Sequence, residues 1–239
     1  MKHWWLTLLL IFVCVPLARA NGQTSDIHIV SEIWRDYSNA DGSGLAWDVL
    51  RKVFEPAGLR LRIQSVPYTR SVGLVQRGEA DAWVGAYRDE VDKAIYPKWH
   101  YDNDHVVALG LVNTPVPSLA NLNQYRLAWM HGYGFQKYLP NVREYREVQR
   151  RNGILGMLEL GYADLYIDSI TEVEDVLRTA PKPYSYRVTA LTDLPLLLGF
   201  SATPRGRQLA AVFDQRMAHL VASGELRPIF ERWQQPYPF

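Results

Sequence analysis

The sequence has almost no cysteine: of 239 residues only Cys14 carries a thiol, and it lies in an N-terminal apolar run. This excludes a disulfide framework, a thiol nucleophile and a cysteine-based metal site from the rest of the chain. Histidine is sparse too, and the six present (His3, His28, His100, His105, His131 and His219) are dispersed. Only His100 and His105, with Asp102 and Asp104, lie close enough to suggest metal ligands, and that segment reads more simply as a solvated polar turn. No HExxH, phosphate loop, GxSxG or two-glycine dinucleotide fingerprint occurs. No catalytic residue, metal ligand or cofactor is therefore assigned. Charge of one sign is missing as well: 26 basic residues stand against 25 acidic ones, leaving no field that would hold nucleic acid or an anionic membrane. Beyond the first twenty residues no apolar run is long enough to span a bilayer.

What is present begins with a leader. Lys2 is followed by an apolar run from Trp4 to Leu17 and then by Ala18-Arg19-Ala20, the charge, core and small-x-small site of a cleaved secretory signal. Residues 1–20 are expected to be removed, so that the mature chain starts at Asn21 in the periplasm. Cys14 precedes Val15-Pro16 rather than standing at the cleavage point, which argues against lipid attachment. The mature chain keeps 24 basic and 25 acidic residues. Eight Trp and 14 Tyr suit ligand pockets as well as cores, because such rings combine a large apolar face with a polar edge.

Strand and helix patterns alternate. Ile27–Val30 reads as a buried strand, Trp47, Leu50, Val53 and Phe54 fall at helical spacing before Pro56 and Gly58, and Leu59, Leu61 and Ile63 alternate with polar residues, a strand with one wet face. A short helix over 69–77 and a strand over 82–86 complete a first unit. After the proline-bearing stretch 112–118 the pattern restarts: strands over 125–131, 145–148 and 165–167, and a helix around Ile154–Leu160. Gly78-Glu79-Ala80-Asp81 is echoed by Gly161-Tyr162-Ala163-Asp164, each between an apolar helix and an apolar strand. The two aspartates read as turn formers rather than catalytic carboxylates. A strand over 194–200 and helices over 205–222 and 225–233 close the chain and are expected to cover the first unit. Such alternation implies an α/β protein of two lobes, each a mainly parallel sheet flanked by helices, joined by two crossover segments with a cleft between them. The division expected is 21–112 with 196–239 for the first lobe and 113–195 for the second.

This pattern resembles the family-three periplasmic solute-binding proteins, the polar-amino-acid type that feeds ABC importers. The resemblance is carried by Gly44 before the Trp47 helix, Leu74-Val75-Gln76-Arg77-Gly78-Glu79-Ala80-Asp81, Leu127-Ala128-Trp129-Met130-His131-Gly132-Tyr133, Leu158 to Asp164 running on to Asp168, and the terminal Leu220, Gly224, Ile229, Phe230 and Trp233. It implies the type II periplasmic-binding-protein fold, a monomer, a small polar ligand such as an amino acid, and a permease partner in the inner membrane. Residue by residue it implies an aromatic wall from Trp34 or Tyr37, a contact from Tyr68, and Arg88 as the clamp of a ligand carboxylate. It also implies backbone donors at Gly132, Tyr133 and Gly134, and Asp168 as the acceptor of a ligand ammonium. The usual Thr-x-x-Arg around the clamp is missing. Arg88 beside Asp89, Glu90 and Asp92 equally fits a surface ion pair, and Asp168 equally fits a cap for a helix beginning at Ser169.

Two further functions remain open on the sequence. An enzyme on this scaffold, a dehydratase or lyase, would need an acid or base in the cleft such as Glu32, Asp168 or His131. A soluble sensing partner of a membrane receptor would need only the binding site.

Overall fold

The computed structural model describes residues 25–239; the expected leader, its cleavage site and Cys14 lie outside the described residues. The chain runs β1 (Ser25–Ser31), α1 (Leu45–Phe54), β2 (Leu59–Ser65), α2 (Tyr68–Gln76), β3 (Ala82–Ala86) and the two-residue β4 (Ala94–Ile95). It continues through β5 (Asp102–Leu111), β6 (Arg126–Met130), β7 (Glu144–Val148), α3 (Ile154–Glu159), β8 (Leu165–Ser169) and α4 (Ile170–Arg178). The long β9 (Tyr186–Ser201), α5 (Pro204–Ser223) and α6 (Arg227–Arg232) complete it.

Local sequence explains most of these bounds. In α1 the residues Leu45, Trp47, Val49, Leu50, Val53 and Phe54 are buried, a stripe at helical spacing. Pro56 then enters a tight turn closed by Gly58 at φ +77°, where a side chain would be strained. Thr203 caps α5 by accepting from the amide of Gly206 at 3.0 Å, with Pro204 in the first turn where its missing N–H costs nothing.

β1 pairs in parallel with β2 and β3, and β6 does the same with β7 and β8. The third strand of each set then meets a strand running the other way: β9 beside β3 and β5 beside β8. The two lobes thus repeat one arrangement, β2-β1-β3-β9-β4 and β7-β6-β8-β5-β9. The expected mainly parallel sheets are mixed along the edge where the chain crosses.

β5 and β9 are that crossing. They pair antiparallel from Asp102 opposite Leu196 to Leu111 opposite Tyr186, and β9 passes to the first sheet at Leu197 opposite Ala86. β5 thus pairs within the second sheet, and β9 is shared by the two. Residues 102–105, read as part of a polar turn, open a ten-residue strand. The strand expected over 194–200 is the C-terminal part of one strand that starts at Tyr186. The C-terminal helices do cover the first lobe, with Phe213 of α5 about 6 Å from Phe54 and Phe200. Trp47, Trp83 and Trp129 are fully buried in the core.

The echoed Gly-x-Ala-Asp segments do the same work in each lobe. The amide of His28 donates to the Asp81 carboxylate at 2.9 Å while the Asp81 amide donates back to the His28 carbonyl at 2.9 Å. Arg126 and Asp164 repeat the exchange at 2.7 and 2.8 Å. Each aspartate stands one residue before its lobe's third strand and clips that strand to the first, and each also holds an arginine: Arg205 at 2.7 Å on Asp81 and Arg126 at 2.6 Å on Asp164. Charge-assisted bonds of this kind contribute about 1.5–3 kcal/mol each. Asp81→Ala and Asp164→Ala are each expected to lower stability by about 1–3 kcal/mol in denaturant titrations. A loss below about 0.5 kcal/mol would reduce the repeat to turn chemistry.

Candidate functional site

The crossing strands bring a set of polar side chains to the seam between the lobes. Trp34 and Tyr37, from the loop after β1, Tyr68 at the start of α2, and Tyr133 and Asp168 from the second lobe all line one cavity of about 80 Å³. At about 10–15 Å³ for one water-sized group, this leaves room for a small organic molecule. The rings form a continuous wall: Trp34 to Tyr68 is 6.0 Å between centroids, and Tyr68 to Tyr133 is 5.3 Å edge to face. β5 contributes Asp102, Asp104 and His105, and α4 begins at the cavity with Ile170 and Thr171.

Contacts across the seam centre on Arg151. Its guanidinium reaches Asp168 at 3.0 Å, Glu172 at 3.0 Å and the Tyr133 hydroxyl at 2.6 Å within the second lobe. It also reaches Glu32 of the first lobe at 3.2 Å. Burial works against its charge, but Asp168, Tyr133 and Glu172 hold the guanidinium well above its usual pKa. Burial pushes the Glu172 carboxyl up, against the pull of Arg151. The indole N–H of Trp34 donates to Tyr133 at 3.0 Å, and Lys137 donates to the carbonyl of Glu90 at 2.8 Å, adding two further ties between lobes.

β5 carries carboxylates with far less compensation. Asp102 is 7% exposed and accepts from the amide of Asn103 at 2.8 Å. Burial pushes it up to about 7, with the neighbouring bonds opposing. Asp104 accepts from the Tyr87 hydroxyl and is likewise pushed up to about 7 by burial, with Asp168 adding to the effect. His105 is the one basic side chain lining the cavity among the described residues, and it bonds Asp193 at 2.7 Å. The Tyr37 hydroxyl is shielded from solvent and lies beside Asp102 and Tyr101 without a hydrogen bond of full geometry to either.

The structure does not bring every expected residue here. Arg88 does not line the cavity; its guanidinium donates to the carbonyl of Pro97 at 2.7 Å. Gly132 and Gly134 line nothing in the cavity. The Gly132 amide points to Glu147 at 3.4 Å and the Tyr133 amide is bonded to Met130 at 3.2 Å, so Tyr133 presents its ring. Asp168 meets Arg151, the Tyr166 hydroxyl and the Ser169 amide; the helix cap itself is Ser169, which accepts from the Glu172 amide. His131 is paired with Glu147 at 2.6 Å, away from the cavity. Glu32 accepts from the Tyr68 amide at 3.2 Å as well as from Arg151, so two of the three acid–base candidates are held by one guanidinium. Among the described residues no group of three or more potential metal ligands occurs.

Missed by the sequence reading were Arg151, Tyr87 and the place of Asp102 and Asp104 on a strand at the cavity, where a polar turn was expected. The signal for the aspartates was their i, i+2 spacing continued by Val106 and Ala108, which is strand periodicity. Gly132 has a different use. At φ +88° it faces Thr69 of the first lobe, and a Cβ there would come 2.4 Å from the Thr69 methyl. Gly132→Val is expected to wedge the seam and to lower stability by about 1–3 kcal/mol, since a side chain at positive φ alone costs about 1–2 kcal/mol. Thermal melts of the variant beside Thr69→Ala/Gly132→Val separate the two costs; an unchanged melting temperature in the single variant would show that the seam is loose.

No family model and no curated protein matches the chain. Solved structures do. The substrate-binding protein of an amino acid ABC transporter covers 87% of this chain and 99% of its own, with TM-score 0.67 and 14% identity. A histidine kinase sensor domain with similarity to periplasmic binding proteins covers 87% and 95%, with TM-score 0.69 and 15% identity. An ABC uptake transporter substrate-binding protein from Streptococcus pneumoniae with bound histidine covers 89% and 93%, with TM-score 0.66 and 17% identity. Likeness at this identity carries architecture and not ligand: the chain has the two-lobed fold of the periplasmic binding proteins.

Proposed function

We propose that this protein is an exported solute-binding protein of the family-three type, which captures a small polar solute between its lobes and passes it to the permease of an ABC importer. The observation that carries the reading is the cavity at the seam, walled by Trp34, Tyr68 and Tyr133 and reached by polar groups from both lobes. A ligand touching both lobes favours their closed arrangement, and differential affinity of this kind drives hinge motion. Binding is favoured over catalysis because Glu32 and Asp168 are both engaged by Arg151, which leaves neither as a free base. No described helix is long and apolar enough to cross a membrane.

Native mass spectrometry of protein purified without denaturation tests the reading. The expected spectrum is a monomer beginning at Asn21 with one small molecule bound per chain, released on unfolding. A chain that retains residues 1–20, or one that converts every candidate solute to product, would overturn the corresponding part of the proposal.

A further inference from the structure

We propose that the solute is a small organic cation without an α-carboxylate, an alkyl or aryl amine whose ammonium sits against Asp102 and Asp104 and whose body lies on the rings of Trp34, Tyr37 and Tyr68. This rests on the solute-binding reading and specifies its ligand.

Three features lead there. The first is charge. No lysine or arginine lines the cavity among the described residues, while Asp102, Asp104 and Asp168 do. Arg151 is shared by Asp168, Glu172 and Glu32, so one guanidinium serves three carboxylates before Asp102 and Asp104 are counted. The basic group nearest those two, His105, is engaged by Asp193. A buried carboxylate is costly unless it is paired, and an arriving ammonium supplies the missing partner. Burial has pushed both β5 carboxyls up to about 7, with His105 opposing it only in part, as for acids short of a compensating cation.

The second feature is an unsatisfied group. The Tyr37 hydroxyl is shielded from solvent and makes no hydrogen bond of full geometry; burial first, and then Asp102 and Tyr101 beside it, raise its pKa. A buried hydroxyl without a well-formed bond costs free energy, and an ammonium N–H donated to it would relieve that cost. The third is the wall itself: aromatic faces attract cations through their quadrupole, more strongly in a desolvated site.

An α-carboxylate has no comparable seat. Arg88, its expected clamp, is turned away to Pro97. The start of α4 lines the cavity, but its Ser169 amide is already bonded to Asp168 and the Glu172 amide to Ser169, with both acids crowding the same helix end.

Matched pairs that differ only by the α-carboxylate test this directly: cadaverine against lysine, agmatine against arginine, and histamine against histidine, by calorimetry at pH 7.5. At least one amine is expected to bind one per chain, at least tenfold tighter than its amino acid and than an uncharged counterpart such as 1,5-pentanediol. Asp102→Asn is expected to weaken that amine at least tenfold, with circular dichroism confirming that the variant is folded. An amino acid that binds as tightly as its amine, or an unchanged affinity in Asp102→Asn, would overturn the cation assignment and leave solute binding standing. If none of these compounds binds but the native spectrum carries an adduct of other chemistry, the cation assignment alone falls. If nothing binds and no adduct is present, both readings fall.

Discussion

Arg151→Met is expected to lower stability by about 3–5 kcal/mol, the scale on which removing one partner of a buried ion pair leaves uncompensated charge behind. Glu32, Asp168 and Glu172 all meet this guanidinium within 3.2 Å, and the Asp168 and Glu172 side chains are only 2% and 8% exposed. For a chain of this size that loss corresponds to a fall of roughly 6–20 °C in melting temperature. Neutralising an acid in the same background, as in Arg151→Met/Glu172→Gln, is expected to recover part of the loss, because the cost is repulsion and desolvation of the orphaned carboxylates rather than lost packing. A loss below about 1 kcal/mol in the single variant would place the group in the energetic class of solvated surface pairs. An additive double variant would show that Arg151 and Glu172 are energetically independent.

Asp102→Asn carries the opposite sign. The Asp102 carboxyl, held up to about 7 by burial, keeps its proton in the folded chain over a range where the unfolded chain, with a carboxyl near about 3.9, has released it. Stability therefore falls as pH rises from about 4 to about 7, and the full penalty is present above about 7. The asparagine side chain of this variant would still offer an oxygen to the Asn103 amide, which bonds Asp102 at 2.8 Å, without carrying charge. Chemical denaturation is expected to show the variant about 1–3 kcal/mol more stable at pH 8 and nearly unchanged at pH 4. Asp104, His105 and Tyr37 act on the group and remain common to both proteins. A variant less stable at pH 8, or equally shifted at both pH values, would contradict the burial account. Greater stability combined with weaker binding marks a residue kept for function.

The two lobes, their repeated order and the covering C-terminal helices were legible because each rests on local periodicity. The repeat of Gly-x-Ala-Asp was legible for a firmer reason: Asp81 and Asp164 each clip one strand to the next, and that task demands the same residue at the same place. β5 was not legible, because its opening Asp-Asn-Asp-His looks like a turn and is a strand only through its pairing with Asp193–Leu196 of β9, far along the chain. The site inherited that gap. Trp34, Tyr37, Tyr68, Tyr133 and Asp168 gather at one cavity, since strand ends and the loops after them point to the seam. Asp102 and Asp104, weighed only as metal ligands in a polar turn, were misplaced with their strand. Arg88 misled because adjacency to a strand end does not fix the direction of a long side chain; Pro97 holds it elsewhere. Arg151 had no sequence signal, since its partners Glu32, Asp168 and Glu172 are contributed by separate elements of both lobes.

Solution scattering of the mature protein, freed of bound small molecules by unfolding and refolding and then titrated with the solute that co-purifies with it, tests capture between the lobes most directly. The expected result is a radius of gyration that falls as the solute saturates one site per chain, with Gly132→Val closing less completely. A radius and scattering profile unchanged at saturation would contradict capture by hinge closure.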